Sequence, residues 1–181
     1  MSDPPVNTPR IGVHVSIAGK LSLAIERAQA VGATTIQIFS RSPRVWAFSR
    51  LDQEEVERFK TLRRQADVHP IAVHSAYLIN LAARDETLYR RSVEALCHEL
   101  KRAAELGADF VVVHVGSSPE EDRTKGLARV VAAVTEALDK TDGVMLLLEN
   151  MAGERGDIGA DLGELAEIRS EERRVGKECR L

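Results

Sequence analysis

Four residues of this 181-residue chain sit where apolar runs stop and chemistry can begin: His14, His74, His114 and Glu149. Each lies at or near the end of a short run rich in Val, Ile or Leu, over residues 11–15, 71–74, 110–115 and 144–148. Imidazole nitrogen and carboxylate oxygen are ligand types that zinc favours. A histidine hydrogen-bonded in a packed wall is the plainer reading of any one of them, since histidines are often partly buried without holding a metal. Their joint placement favours a metal site. His69, ahead of Pro70 and a strand, and His98, inside a helical pattern, lack that placement and are assigned no chemistry.

A strand-then-helix rhythm from Arg10 onward would position these groups. A fifth apolar run covers residues 35–39, and none of the five has the clean alternation of a half-exposed strand. Such runs read as parallel strands covered on both faces. Between them lie stripes at helical spacing: Leu21, Ala24, Ile25, Ala28 and Val31, stopped by Gly32; Val56, Phe59 and Leu62; Val93, Leu96, Leu100 and Ala103; Leu127, Val130, Val134 and Leu138. Strands joined by helical crossovers predict an α/β fold with a parallel sheet. Ligands bind at the carboxyl ends of such strands, which puts the four residues on one rim. His74, His114 and Glu149 end consecutive strands, expected about 4.8 Å apart. One carboxylate can offer an oxygen to each of two ions, and such ion pairs serve phosphodiester displacement. Periodicity does not separate an open doubly wound sheet from part of a barrel. Residues 14–19, His-Val-Ser-Ile-Ala-Gly, lack the dinucleotide glycine spacing, which argues against a Rossmann site.

Composition sets the bounds. With 44% hydrophobic and 29% charged residues the chain reads as one globular domain. A complete eight-stranded barrel takes about 250 residues, more than are here. No stretch approaches the ~20 apolar residues of a membrane span, and no membrane partner is expected. Two cysteines, Cys97 and Cys179, make no disulfide framework, so the expected location is the reducing cytoplasm. A net charge of −3 gives no bulk attraction to nucleic acid, so a DNA partner must be held by local arginines and bound metal. The expected organisation is a disordered lead-in over residues 1–9, a domain over 10–169, and a tail over 170–181. A fifth helix begins within 161–168, but the tail has neither a helical stripe nor a strand run. It reads as non-native sequence, with the native reading frame ending near Ser170.

Two loops on the same rim stand out. Ser40-Arg41-Ser42-Pro43-Arg44-Val45-Trp46 carries two arginines and the only tryptophan. Arginine can pair with phosphate or wedge into a base stack, while a solvated loop with Trp46 as a lid fits as well. Tyr77-Leu78-Ile79-Asn80-Leu81 is apolar for a loop. It suits a wedge or a packed turn.

Together these segments resemble the endonuclease IV family of zinc-dependent apurinic/apyrimidinic endonucleases. Residues 14–19 look like its opening strand motif, and residues 39–46 are similar to its DNA-probing loop. His74-Ser75-Ala76-Tyr77-Leu78-Ile79-Asn80-Leu81, His114-Val115-Gly116-Ser117 and Leu148-Glu149-Asn150-Met151-Ala152-Gly153 match later motifs in order. The resemblance implies a TIM (β/α)8 barrel, here an incomplete one of about five β/α units, with an open sheet edge and an uncovered apolar interior. It implies three zinc ions, with His74 and His114 on one, Glu149 bridging to a second, and Glu149 as the catalytic carboxylate. His14 receives no ligand role. Arg44, Tyr77 and Leu78 correspond to residues inserted into DNA. The implied partner is double-stranded DNA containing an abasic site, cut 5′ to that site to leave a 3′-hydroxyl and a 5′-deoxyribose phosphate by a protein acting as a monomer. The family's Asp-Thr-Cys-His segment and its further ligands have no counterpart in the chain, so at most a partial zinc site and no activity are expected of it. Two other readings remain: a sugar isomerase or epimerase on the same barrel, with one divalent ion, and a non-enzymatic product with a weak metal site.

Overall fold

The five apolar runs become β1 (Gly12–His14), β2 (Thr35–Phe39), β3 (Ile71–His74), β4 (Phe110–His114) and β5 (Met145–Glu149). The computed structural model describes residues 9–118, 123–154, 156–173 and 179–180. The lead-in expected over residues 1–9 thus lies outside the described residues except for Pro9. Between the strands run α1 (Leu23–Ala30), α2 (Gln53–Gln65), α3 (Glu86–Glu105) and α4 (Arg123–Asp139), and α5 (Leu162–Arg173) follows β5. Aspartates start two of the helices. Asp52 accepts a hydrogen bond from the amide of Glu54 at 3.0 Å, and Asp85 from that of Leu88 at 2.7 Å. Each satisfies an amide that the first helical turn leaves without a partner.

Every strand pairs in parallel with the next in sequence, in the order β1-β2-β3-β4-β5-β6, where β6 is Cys179–Arg180. A doubly wound sheet reverses direction at a switch point. This one never does, and a wall that keeps winding one way is a barrel wall of five β/α units. Regular structure reaches into the tail. Helix α5 continues to Arg173 and residues 179–180 pair with β5, although neither stretch carries an apolar pattern. Glu and Arg are good helix formers without any stripe, and a two-residue strand is too short to show alternation. Residues 174–178 and 181 of that tail lie outside the described residues.

The strands alternate more cleanly than their composition suggests. Ile36, Ile38, Ile71, Val73, Val111, Val113, Leu146 and Leu148 are buried. They share one core with Ile25 of α1, Phe59 of α2, Leu96 and Leu100 of α3, Val130 and Val134 of α4 and Ile168 of α5. Each such side chain contributes about 1.5–3 kcal/mol by leaving water. The opposite face, including Gln37, Phe39, Phe110, Val112, Met145 and Leu147, is only half-buried. Burial on both faces is therefore not reached. The helices cover the outside, and the inner wall and the exposed edge strand β1 stay open. Among the described residues no helix is long and apolar enough to cross a membrane.

Candidate metal centre

Three of the four rim residues converge. Register sets His114 directly beside Glu149, and His74 one strand further along, beside Val112. His74 Nε2 lies 3.1 Å and His114 Nε2 2.9 Å from the same atom, Glu149 Oε2. The two imidazole rings meet nearly edge to face, with centroids 5.2 Å apart. The potential ligand atoms of all three residues lie within 4.8 Å of one another. The His74 side chain is 9% exposed, against 42% for His114 and 43% for Glu149. The group is anchored at its base and open towards solvent.

The hydrogen bonding says what this group can hold. His74 Nδ1 lies 2.8 Å from the carbonyl oxygen of Ser75, which can only accept, so Nδ1 carries the proton. In the neutral ring Nε2 then presents a lone pair to a carboxylate oxygen. Two acceptors at that distance repel unless a proton or a cation sits between them. Two atoms bound to one tetrahedral zinc stand about 3.3 Å apart, close to the spacing found here. A backbone carbonyl fixing the far nitrogen is also the usual outer support of a metal-bound histidine. The donor set fits a divalent cation.

The fourth rim residue stands apart. His14 ends β1, and its ring packs against Phe39 with centroids 4.5 Å apart, outside the three-residue group. Burial, and then the charge of His74, hold its imidazole below the ordinary histidine range. His69 lies before β3, at the other end of the strand, and pairs with Asp67 at 3.1 Å. His98 stacks on Phe48 at 4.2 Å. Cys97 is a buried free thiol. A cavity of about 460 Å³ near His69 is lined by Lys60, Arg63, Arg64 and Gly107, with no part of the rim group. Arg63 there is already bonded to Asp109 at 2.6 Å.

Both rim loops are packed in part and exposed in part. In the loop after β2, Ser40 and Arg41 are buried while Arg44 is exposed, and Trp46 is half-buried with the Arg91 guanidinium 4.6 Å from its ring centre. In the segment after β3, Ile79 and Leu81 pack into the core and Leu78 is half-buried. Tyr77 is 61% exposed, its ring edge-on to Phe39 at 5.3 Å. Asn80 ties this segment to the end of β4. Its Nδ2 donates to Ser117 O at 2.9 Å, and its Oδ1 accepts from Ser117 N at 3.1 Å and from Ala82 N at 3.0 Å. The sequence reading assigned no role to this clamp, nor to Glu99 and Arg102 behind the first loop.

Residues 25–176 match the family described as Xylose isomerase-like TIM barrel. The chain belongs to this family. Within it, the chain is 41% identical over 172 residues to the "Probable endonuclease 4" of Methanocorpusculum labreanum, covering 92% of this chain and 61% of that protein. It is similar to the crystal structure of endonuclease IV from Thermus thermophilus, with a TM-score of 0.79 and 40% identity over 88% of this chain and 58% of the other. These two similarities bear out the resemblance read from the motifs. A D-tagatose 3-epimerase-like protein shares the fold, with a TM-score of 0.67 and 24% identity over 87% of this chain and 60% of that one. The chain thus spans about three fifths of the length of the curated relatives it matches.

Proposed function

We propose that this member of the xylose isomerase-like TIM barrels belongs to a zinc-dependent endonuclease that cuts double-stranded DNA 5′ to an abasic site, leaving a 3′-hydroxyl and a 5′-deoxyribose phosphate. The observation that carries the reading is the convergence of His74, His114 and Glu149, with the exposed Tyr77 ring 5.8 Å from that of His74. Relatives bearing the endonuclease 4 name support it. His74 and His114 would hold one ion, and Glu149 would share its carboxylate between that ion and a second. Bound zinc supplies Lewis-acid activation of water and of the phosphoryl group.

The chain's own residues have separable tasks in this reading. The Ser75 carbonyl holds His74 in the tautomer that turns Nε2 towards Glu149. Glu149 is the acidic group on which both imidazoles converge. Tyr77, braced by Phe39, offers an aromatic face at the rim, and Arg44 offers a guanidinium to phosphate or to the gap left by a missing base. Leu78, half-buried, would follow Tyr77 into the duplex. A sugar isomerase or epimerase needs the ion but neither Arg44 nor Tyr77, and only the shared fold favours it.

A duplex with one synthetic abasic site tests the proposal. Nicking that EDTA abolishes is expected from a form extended to the relatives' full length, and none from the 181-residue chain. Robust EDTA-sensitive nicking by the 181-residue chain would contradict the expectation of a partial site. Epimerisation of a ketose by the extended form, with no nicking, would replace this reading with the sugar one. In the extended form Arg44→Ala is expected to weaken abasic-duplex binding on the order of tenfold, the scale of one lost stacking contact. Unchanged affinity would return that loop to a solvated role.

A further inference from the structure

Behind the loop that follows β2 lie buried charged groups that the proposed reaction does not use. Glu99 of α3 is 1% exposed, and both its oxygens are engaged: Oε1 accepts from Arg41 Nε at 2.9 Å and Oε2 from Ser40 Oγ at 2.6 Å. One turn later on the same helix, Arg102 grips both ends of the loop. Its Nη2 donates to the Ser40 carbonyl at 2.8 Å and its Nη1 to the Ser49 carbonyl at 2.6 Å. Its Nε lies 3.3 Å from Ser40 Oγ. Arg41 donates to the carbonyl of Val45, next to Arg44, and its guanidinium lies 4.3 Å from the centre of the Phe48 ring. Phe48 in turn stacks on His98 of α3. Base, middle and far end of the loop are therefore tied to α3, directly or through Arg41.

One buried carboxylate here pairs with the guanidinium of Arg41, and a second buried guanidinium, Arg102, lies within its electrostatic reach and meets it through Ser40. Apolar packing of similar volume often gives equal or greater stability than such a cluster. What the cluster supplies is geometry, because the rigid fork of Arg102 fixes two carbonyls at once and a flexible ammonium does not. A loop already fixed in its binding conformation loses less entropy when a partner arrives.

We propose that Glu99 and Arg102 are positioning residues that hold the loop of residues 40–49 in one conformation and thereby aim Arg44 at DNA. The role of the clasp rests on the reading of Arg44 as a DNA contact. Its effect on the loop does not, and the two can be tested apart. Trp46, the only tryptophan, lies within the loop and reports its order directly.

In the 181-residue chain, Glu99→Gln keeps the side-chain volume but removes the negative charge beside Arg41. Arg102→Lys leaves one flexible donor for two carbonyls. Both are expected to raise acrylamide quenching of Trp46 and lower its fluorescence anisotropy, with far-UV circular dichroism and zinc uptake unchanged. Both are also expected to weaken binding to an abasic duplex on the order of tenfold and to leave undamaged-duplex binding nearly unaltered. Combining Glu99→Gln with Arg44→Ala should cost little more than Arg44→Ala alone, since a residue acting through Arg44 cannot act without it. Unchanged Trp46 quenching overturns the clasp. Fully additive losses overturn its action through Arg44. If Glu99→Gln does not fold, the paired Glu99→Leu and Arg41→Met replacement removes both charges together and must give the same Trp46 response. If neither this chain nor the form extended to the relatives' full length prefers abasic DNA, the DNA reading of the loop fails, and Trp46 quenching alone decides whether the clasp stands.

Discussion

Replacing Glu149 by alanine is expected to lower the zinc affinity of the chain by about 100-fold. Glu149 Oε2 is the single atom that both His74 Nε2 and His114 Nε2 approach, so its removal leaves two imidazoles with no anion between them. Structural zinc sites bind with about 10–16 kcal/mol through four ligands, or about 3 kcal/mol for each ligand. About 3 kcal/mol corresponds to roughly 100-fold in the dissociation constant. Calorimetric titration of the metal-free chain measures this, with elemental analysis giving the stoichiometry. One ion or fewer is expected, because only one group of three potential ligands occurs among the described residues. His14→Ala is the control, since His14 shares the rim but not the group. Equal affinity in Glu149→Ala and wild type would remove the metal centre, and three bound ions would contradict its partial nature.

Gly116→Ala is expected to destabilise the chain by about 3 kcal/mol, combining roughly 1–3 kcal/mol of backbone strain with weakened, partly buried hydrogen bonds. At about 2–4 °C per kcal/mol for a chain of this size, the melting temperature should fall by roughly 6–12 °C. Gly116 has φ +103°, and an added Cβ would meet Asn80 Oδ1 at 2.2 Å and Asn80 Cα at 2.9 Å. A rotamer change can move the amide oxygen but not the backbone atom. The segment from Tyr77 to Leu81 must therefore back away from the end of β4, breaking the Asn80 bonds to Ser117. Gly32→Ala isolates the backbone part, because Gly32 also has positive φ but an added Cβ there meets nothing within 4 Å. Thermal unfolding should rank Gly116→Ala well below Gly32→Ala. Similar losses in the two variants would mean that the Asn80 clamp contributes nothing.

The parts of this architecture visible in the sequence are those that local pattern encodes. Apolar runs ending in His74, His114 and Glu149 marked the strands and the residues at their ends, because three polar groups closing neighbouring runs point to one rim even though each alone has a plainer reading. The core-facing sides of the helices were legible from their stripes, whereas the start of α3, from Glu86 to Ser92, was not. The clasp was invisible because its partners are 53 to 62 residues apart in sequence. One signal did exist: Glu99 and Arg102 fall at the buried spacing of α3, among Leu96, Leu100 and Ala103. A charge on a buried stripe implies a buried partner, though not which one. Likewise, nothing local to Gly116 names Asn80. The continuation of α5 and the short β6 carry no apolar pattern and could be seen only in the assembled sheet.

The alternation along β3, β4 and β5 has a consequence for fidelity of assembly. Side chains on a strand change sides at every residue, so a strand docked one position out of step would turn over all its residues at once. Val73, Val113 and Leu148 would swing out from beneath the helices, and His74, His114 and Glu149 would be driven into that dry layer. Both halves of such an error are unfavourable, one through exposed hydrocarbon and the other through desolvated polar groups. The greasy half of each strand thus proofreads the position of its reactive half.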